Sequence, residues 1–200
     1  MKFLIISGLS GAGKSTALHA LEDIGYQCID NLPLELLETF IEQISERPVI
    51  SREEQNIAVS LDIRVLLKHT TAERVKSLID KIKDTNIDID ILFLSADDDV
   101  LIRRYQEAGR THPLAGDRHT IAEAVELEKV RLDELSMLAT YRIDTSSFNP
   151  YRLRESIFDW CACRTTGLLM ILQSFSYKKG VPYNADYVFD ARVLLSLIHI

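Results

Sequence analysis

The sequence predicts an α/β domain in which helices flank a mainly parallel sheet. Segments with the apolar runs of strands alternate with segments of helical periodicity, an order typical of parallel β-α-β units. The first strand also leads directly into a glycine-rich loop and an amphipathic helix. At 200 residues, of which 46% are hydrophobic, the chain is long enough to bury a core of its own.

The N-terminal elements follow from apolar spacing and from stop residues. An apolar strand is predicted over 2–7, and the helix over 14–24 gathers its apolar residues on one face before Gly25 ends it. A short strand covers 26–30. The next helix begins after 31–33, because a proline in a first helical turn removes no hydrogen bond that the helix would make.

The middle of the chain supplies two further strands. The first covers 56–64, and the apolar run over 87–95 indicates a strand that is buried after its first residues. Between them, Thr70 and Glu73 have the spacing of a capping box, which predicts the start of a helix.

The alternation continues after the fourth strand. Asp97 is expected to cap a helix that Gly109 ends, and Thr120 with Glu123 has the spacing of a second capping box, ahead of a long helix. A fifth strand is predicted over 141–146.

Composition excludes several classes of protein. The net charge of −7 leaves no bulk positive charge for wrapping nucleic acid, although a local basic patch stays open. The apolar stretch 3–6 is far shorter than the roughly 18 residues that a membrane span needs, so we expect a cytoplasmic protein without membrane contact. The three cysteines lack C-x-x-C spacing and the five histidines lack metal-ligand spacing, so we expect reduced thiols and no zinc site.

The most informative motif is the glycine-rich loop after the first strand. Its sequence is Gly8-Leu9-Ser10-Gly11-Ala12-Gly13-Lys14-Ser15, followed by Thr16, and it matches the phosphate-binding P-loop in a strand-loop-helix context. Glycines let successive N–H groups face one anion, and Lys14 can reach the β- and γ-phosphates of a nucleotide. A tight turn without a ligand is the alternative. The motif predicts a P-loop NTPase fold, with ATP or GTP and Mg²⁺ as ligands.

A Mg²⁺ site requires further oxygen ligands near the loop. Ser15 is the expected hydroxyl ligand, and Asp62 is the candidate carboxylate because it follows the apolar part of the third strand. An ordinary strand-end turn at Asp62 is the alternative. Asp88 and Asp90 precede the apolar part of their strand and so belong to the end of the sheet away from the phosphates.

Several arginines surround the passage from the fourth helix into its loop. Arg103, Arg104, Arg110 and Arg118 are candidates for a lid whose guanidinium groups close over phosphate, and a solvated helix face is the alternative for each. The chain lacks the N-K-x-D segment with which signalling GTPases recognise guanine. The choice between ATP and GTP therefore stays open.

Motifs beyond the P-loop carry a family resemblance. In order come DNLPLELL, SLDIR, LFLSAD, LIRRYQEAGRTHPL, IDTS and SFSYKKGVPYNADYVFDAR. With them the chain, from about residue 2 to Arg192, resembles the RapZ/YvcJ family of P-loop nucleotide-binding proteins. The resemblance implies an N-terminal kinase-like domain that binds ATP and GTP and hydrolyses them weakly, followed by a C-terminal domain. For enterobacterial members it implies an RNase adapter that presents small regulatory RNAs to an endoribonuclease.

The chain departs from the family pattern at two sites. A second nucleotide signature, often D-x-R-N, here occupies Asp62, Ile63, Arg64 and Val65. Valine cannot supply the amide hydrogen bonds of the missing Asn, so use of guanine nucleotides is the weaker expectation. The family usually has two arginines before H-P-L, and here only Arg110 stands there, so one lid charge is lost.

The C-terminal part is expected to begin a second domain. A helix started by the Asn149-Pro150 pair is followed by a turn around 164–167 and by a strand-like run over 168–176. The family continues well beyond the last residues present here, so we expect a truncation or a foreign tail; a genuine short variant is the alternative. The predicted divisions are 1–165 for the P-loop domain, 166–192 for the start of a second α/β domain, and 193–200 for the tail.

Three functions compete at this point. The first is a nucleotide-binding regulator, acting by resemblance with RNA and an endoribonuclease through a C-terminal domain. The second is a small-molecule or nucleotide kinase in which Asp30 and Asn31 orient an acceptor hydroxyl. The third places RNA binding in this chain itself, through the basic residues Arg110, Arg118, Arg152, Arg154, Lys178 and Lys179. Oligomeric state is left open, with a homo-oligomer among the expectations.

Overall fold

The chain divides into two compact units, Met1–Arg164 and Thr165–Ile200. The computed structural model describes residues 1–45, 56–62, 72–83, 87–116, 119–162, 172, 174–182, 185 and 187–190. None of the helices in these ranges is long and apolar enough to cross a membrane. The assignment of 166–192 to a second domain and of 193–200 to a tail stays a prediction.

A five-stranded sheet forms the centre of the first unit. Its strands are β1 (Lys2–Gly8), β2 (Tyr26–Ile29), β3 (Asn56–Ser60), β4 (Asp88–Ser95) and β5 (Tyr141–Asp144). They lie in the order β2-β3-β1-β4-β5, and each of these pairings is parallel. β1 is therefore flanked on both sides, which suits its run of buried apolar residues. This sheet confirms the predicted α/β class.

Helices connect the strands and cover the sheet. They are α1 (Lys14–Asp23), α2 (Leu34–Ser45), α3 (Ala72–Lys83), α4 (Asp98–Ala108), α5 (Ile121–Met137) and α6 (Pro150–Ala162). Helix α1 packs against α6, and α4 packs against α5. The apolar face of α5 joins the core through Val125, Leu132 and Leu135. Burial of such faces, more than helix propensity, stabilises helices of this length.

The helix ends test the predicted caps. The capping box at Thr120 is confirmed, because Thr120 Oγ1 accepts from Glu123 N–H at 3.3 Å and Glu123 Oε2 accepts from Thr120 N–H at 2.8 Å. Gly109 ends α4 in the left-handed conformation. Asp97 occupies the N-cap position of α4, but its side chain makes no capping bond, so that part of the prediction is wrong. Thr70 and the side chain of Glu73 lie outside the described residues.

Three strands end earlier than predicted. β2 ends at Ile29, and β3 ends at Ser60, which lies opposite Ile6 of β1; one more backbone bond, Leu61 N–H to Ile6 O at 2.8 Å, follows. β5 stops at Asp144 because Ser146 turns back, its N–H and hydroxyl both donating to Asp144 Oδ1.

The second unit contains one described regular element, a 3₁₀ helix over Tyr177–Lys179. Leu172 and residues 174–176 belong to no strand, and the rest of the predicted run over 168–176 lies outside the described residues. Leu172, Tyr187 and Phe189 are exposed. For its described part, the predicted strand is therefore wrong, since strand residues need a paired neighbour.

Candidate functional site

The glycine-rich loop leaves the carboxyl end of β1 and enters α1. It passes close to β4, where Leu9 N–H donates to Leu94 O at 3.0 Å. A Cβ on Gly8 would lie 2.1 Å from Leu94 O, and Gly13 adopts φ 105° immediately before the helix. Only glycine meets both conditions without strain, so these residues allow the loop to curl tightly over the N-terminus of α1.

Lys14 folds back onto the loop that precedes it. Its side chain is 9% exposed, and Nζ donates to Gly8 O at 2.7 Å and to Leu9 O at 3.2 Å. Asp62, two residues past β3, places Oδ2 3.9 Å from the same nitrogen. The carboxyl ends of adjacent parallel strands meet at one edge of a sheet, and this is why the two side chains come together.

The hydroxyl residues of the motif open α1. Ser15 is exposed in the first turn, and Thr16 is half-buried. The Ser15 hydroxyl and the Asp62 carboxylate are oxygen ligands of the kind that Mg²⁺ prefers. With a tight glycine loop, a helix N-terminus and Lys14 beside them, the residues present fit a Mg²⁺-nucleotide.

Arg104 of α4 ties the glycine-rich loop to the segment after β5. Its guanidinium donates to Gly11 O at 3.0 Å, to Thr145 O at 2.7 Å and to Phe148 O at 3.2 Å. The Thr145 hydroxyl bonds in turn to Ala12 O at 3.0 Å. Burial lowers the pKa of Arg104, and the neighbouring positive charge of Arg103 adds to that shift. Arg104 thus braces the loop from outside, a contact that the predicted lid did not include.

The other candidate lid arginines stand apart from these bonds. Arg103 is exposed and lies 4.0 Å from Glu107 on its own helix. Arg110 is also exposed, and its backbone N–H donates to Tyr105 O. Arg118 lies outside the described residues. The lid therefore stays a prediction for Arg103 and Arg110.

Glu128 of α5 is a site residue that the sequence pattern did not single out. Its side chain is fully buried; Oε2 accepts from Ser10 N–H at 2.9 Å, and Oε1 accepts from the Ser10 hydroxyl at 2.7 Å. His112 Nε2 lies 3.0 Å from Oε2. One sequence feature marks this residue: Glu128 falls within the apolar stripe of α5, between Val125 and Leu132, where a solvated glutamate does not belong.

The remaining predicted residues fall at three places. Of the second signature, Asp62 is described, whereas Ile63, Arg64 and Val65 lie outside the described residues. Asp30 and Asn31 follow β2 at the edge of the sheet, both exposed, with Asn31 at φ 55°. Asp88 and Asp90 lie opposite Lys2 and Leu4, at the amino ends of the strands.

Comparisons with known proteins agree with this geometry. The model of a family described as the RapZ-like N-terminal domain matches residues 1–164. A nucleotide-binding protein of Pseudomonas putida (strain GB-1) is 42% identical over 197 residues, which cover 97% of this chain and 67% of the relative. One of Neisseria gonorrhoeae (strain NCCP11945) is 41% identical over 194 residues, 97% of this chain and 66% of the relative. The chain thus spans about two thirds of the length of these curated relatives.

Solved structures share the fold, a shikimate kinase among them. Shikimate kinase of Acinetobacter baumannii, solved with shikimate, aligns with a TM-score of 0.57 at 11% identity, over 84% of this chain and 96% of the kinase. The YorR protein of Bacillus subtilis, solved with phosphorylated GDP, aligns with a TM-score of 0.52 at 18% identity, over 82% and 97%. At such identities the likeness concerns the fold alone, and it confirms the predicted P-loop, kinase-like architecture.

Proposed function

Because the chain belongs to the family of the RapZ-like N-terminal domain, we propose that it is a regulatory nucleotide-binding protein. Its ligand is ATP or GTP with Mg²⁺, and its hydrolysis of that ligand is weak. The observation that carries the proposal is the strand-loop-helix unit of residues 8–16, with Lys14 and Asp62 brought together at its base. The name shared by the curated relatives, nucleotide-binding protein, supports it.

Each part of the loop has a defined task in this proposal. The N–H groups from Gly13 to Thr16 bind phosphate oxygens at the N-terminus of α1, where the helix dipole favours negative charge. Lys14 exchanges its bonds to the loop carbonyls for the β- and γ-phosphates. Ser15 and Asp62 hold Mg²⁺, directly or through water, and the bound metal neutralises charge on the phosphates.

The environment of the described carboxylates at the loop supports the proposal of weak turnover. Asp62 lies beside Lys14, and Glu128 has its oxygens bonded to Ser10 and His112. A general base must be free to accept a proton from the attacking water. A site that binds nucleotide tightly and hydrolyses it slowly has the behaviour required of a switch. Asp62, Ile63 and Arg64 of the second signature complete the proposed nucleotide contacts, and Val65 takes the position of the usual Asn without its amide bonds. Arg103 and Arg110 form the proposed lid.

RNA and an endoribonuclease are the partners proposed for the whole protein. The proposal rests on the family resemblance, and the contacts are assigned to a C-terminal domain that follows the P-loop domain. Among the basic residues of this chain, Arg154 is paired with Asp23 at 2.6 Å, and Arg152 lies over the Phe148 ring. These contacts, with the net charge of −7, argue against RNA binding by the described part of the chain.

A kinase is the second candidate. Asp30 and Asn31 lie at the carboxyl end of β2, the same edge of the sheet as the glycine-rich loop, and Asn31 has the positive φ of 55° that is uncommon outside glycine. An acceptor hydroxyl bound there would receive the terminal phosphoryl group. The two candidates differ in what they release: a kinase forms a phosphorylated acceptor, and a weak NTPase releases phosphate without one.

Calorimetric titration tests the nucleotide site. We expect Mg²⁺-ATP or Mg²⁺-GTP to bind the wild-type chain, Lys14→Ala to abolish binding, and Lys76→Ala, an exposed lysine of α3, to leave it unchanged. Unchanged affinity in the Lys14 variant would refute the site.

Turnover is then measured with and without a panel of sugars and nucleosides, and a phosphorylated product would favour the kinase. Gel shifts of a small structured RNA, with this chain and with a full-length relative, test the RNA proposal; equal binding would place RNA recognition in this chain.

A further inference from the structure

Buried Glu128 joins two segments that are far apart in sequence. On one side it holds Ser10 of the glycine-rich loop, through both the backbone N–H and the hydroxyl. On the other side it meets His112, which is 1% exposed and belongs to the 110–116 segment between α4 and α5. The carboxylate is carried by the middle of α5, whose neighbouring turns are packed in the core, so its position is fixed.

The hydrogen bonds assign the donor at each contact. Leu114 N–H donates to His112 Nδ1 at 3.1 Å, so Nδ1 carries no proton and the ring proton lies on Nε2. Nε2–H therefore donates to Glu128 Oε2. The chain of bonds runs from the backbone of Leu114 through the imidazole and the carboxylate to Ser10, with a donor facing an acceptor at every step.

A buried carboxylate makes the two segments dependent on each other. Leaving such an acceptor short of donors is costly in a low-dielectric interior, so the loss of either partner forces the carboxylate or the other partner to move. Ser10 lies between Gly8 and Lys14, where the loop turns. A shift there changes the direction of the N–H groups that follow it.

We propose that Glu128 is a positioning residue that couples the shape of the glycine-rich loop to the 110–116 segment. The coupling makes nucleotide affinity depend on His112, whose bond to the loop passes through Glu128. This inference rests on the proposed nucleotide site, and it adds a regulatory contact to it. Whatever displaces the 110–116 segment, such as a ligand at Arg110, alters the affinity of the loop for phosphate.

Paired variants of His112 test the coupling. His112→Asn keeps an acceptor for Leu114 N–H but is too short to donate to Glu128, whereas His112→Gln reaches Glu128 with its amide. We expect the Asn variant to weaken Mg²⁺-nucleotide binding on the order of tenfold and the Gln variant to restore most of it. His119→Asn, an exposed histidine close in sequence, is the matched control and should bind as the wild type does.

A double-mutant cycle separates this route from a second contact. The His112 ring also lies 5.0 Å from the ring of Tyr105, which approaches Gly11. We expect Glu128→Gln to weaken binding by itself and His112→Asn to add little in that background. An additive effect of the two changes, or an unchanged affinity of His112→Asn, would overturn the inference.

Hydrogen exchange of the ligand-free chain provides a readout that needs no nucleotide. Peptides covering 8–16 should exchange faster in His112→Asn than in His112→Gln, while urea unfolding shows that both variants fold. Equal exchange in the two variants would contradict the coupling. If the wild-type chain binds neither nucleotide, the proposed function fails, and the exchange comparison alone decides the coupling.

Discussion

Gly8→Ala is expected to destabilise the protein far more than the same change at Gly109 or Gly116. A methyl group at Gly8 would lie 2.1 Å from Leu94 O, 2.7 Å from Leu94 N and 2.8 Å from Leu94 C. These are backbone atoms of β4 and cannot rotate away. The residue also has φ 143°, a conformation that L-residues rarely adopt. The substitution therefore forces β1 and β4 apart at the point where the loop begins.

The size of the effect follows from these two terms. The strained backbone costs about 1–3 kcal/mol, and the displaced strand a further 1–3 kcal/mol or so, as for other overpacked sites. A loss of about 4 kcal/mol is a large part of the roughly 5–15 kcal/mol by which domains are stable. In a domain of this size each kcal/mol shifts the Tm by about 2–4 °C, so the Tm should fall by roughly 10 °C.

Two other glycines of the same chain serve as controls. Gly109 has φ 58°, and no atom lies within 4 Å of the position that a methyl group would take there. Gly109→Ala therefore measures the cost of a positive φ without a steric clash, and it should lower the Tm by about 3 °C. Gly116 has open space and no positive φ, so Gly116→Ala should leave the Tm nearly unchanged. Thermal unfolding followed by circular dichroism gives all three values. If Gly8→Ala unfolded within about 2 °C of Gly109→Ala, the close approach to β4 would not constrain the loop, and the reasoning would fail.

Three further predictions concern side chains around the sheet. Arg104→Ala removes several charged hydrogen bonds and should lower the free energy of unfolding by about 2 kcal/mol. Arg103→Ala should change it by less than about 0.5 kcal/mol. Urea titration measures both, and similar losses would contradict the role of Arg104 in holding the glycine-rich loop. Burial, with a smaller contribution from the negative charge of Glu22, raises the pKa of Cys28 to about 12. Iodoacetamide at pH 8 should therefore modify Cys28 much more slowly in the folded chain than in urea, because the thiolate is the reactive form. Peptide mass spectrometry measures the two rates. Hydrogen bonds from the Ser146 hydroxyl and N–H lower the pKa of Asp144, a stabilisation that is present above the usual Asp pKa and is lost as the pH falls through the depressed value. Ser146→Ala removes the hydroxyl bond and keeps the N–H bond, so the pKa of Asp144 should rise part of the way towards its usual value; NMR titration of the carboxyl group measures it, and an unchanged pKa would refute the assignment.

The glycine-rich loop and Asp62 could be predicted because local rules determine their positions. The spacing of Gly8, Gly13 and Lys14 prescribes a strand-loop-helix turn, and the carboxyl ends of parallel strands meet at one edge whatever lies between them. Sequence spacing also determined the capping box of α5, since its two residues are three apart. Such features need no knowledge of distant packing.

Glu128 and Arg104 show where sequence reasoning stops. Glu128 is one of several acidic residues in α5, and its partner Ser10 is 118 residues away, so only the assembled sheet brings them together. Arg104 belongs to a run of two arginines; Arg103 faces solvent and Arg104 faces the loop, because successive helical residues point about 100° apart. The type of residue was visible in both cases, but its contact was not.

The order of protein synthesis gives the contacts of the loop a further consequence. Residues 8–15 leave the ribosome first, yet Leu9 needs Leu94, Ser10 needs Glu128, and Ala12 bonds to Thr145, 133 residues later. A nascent chain that ends before β4 therefore contains the complete motif without any of these contacts, and one that ends before β5 still lacks the bond from Thr145. Contacts between residues so far apart in sequence form slowly, because a long loop must be closed first. The loop therefore acquires its full set of contacts only when the first unit has been made up to Thr145.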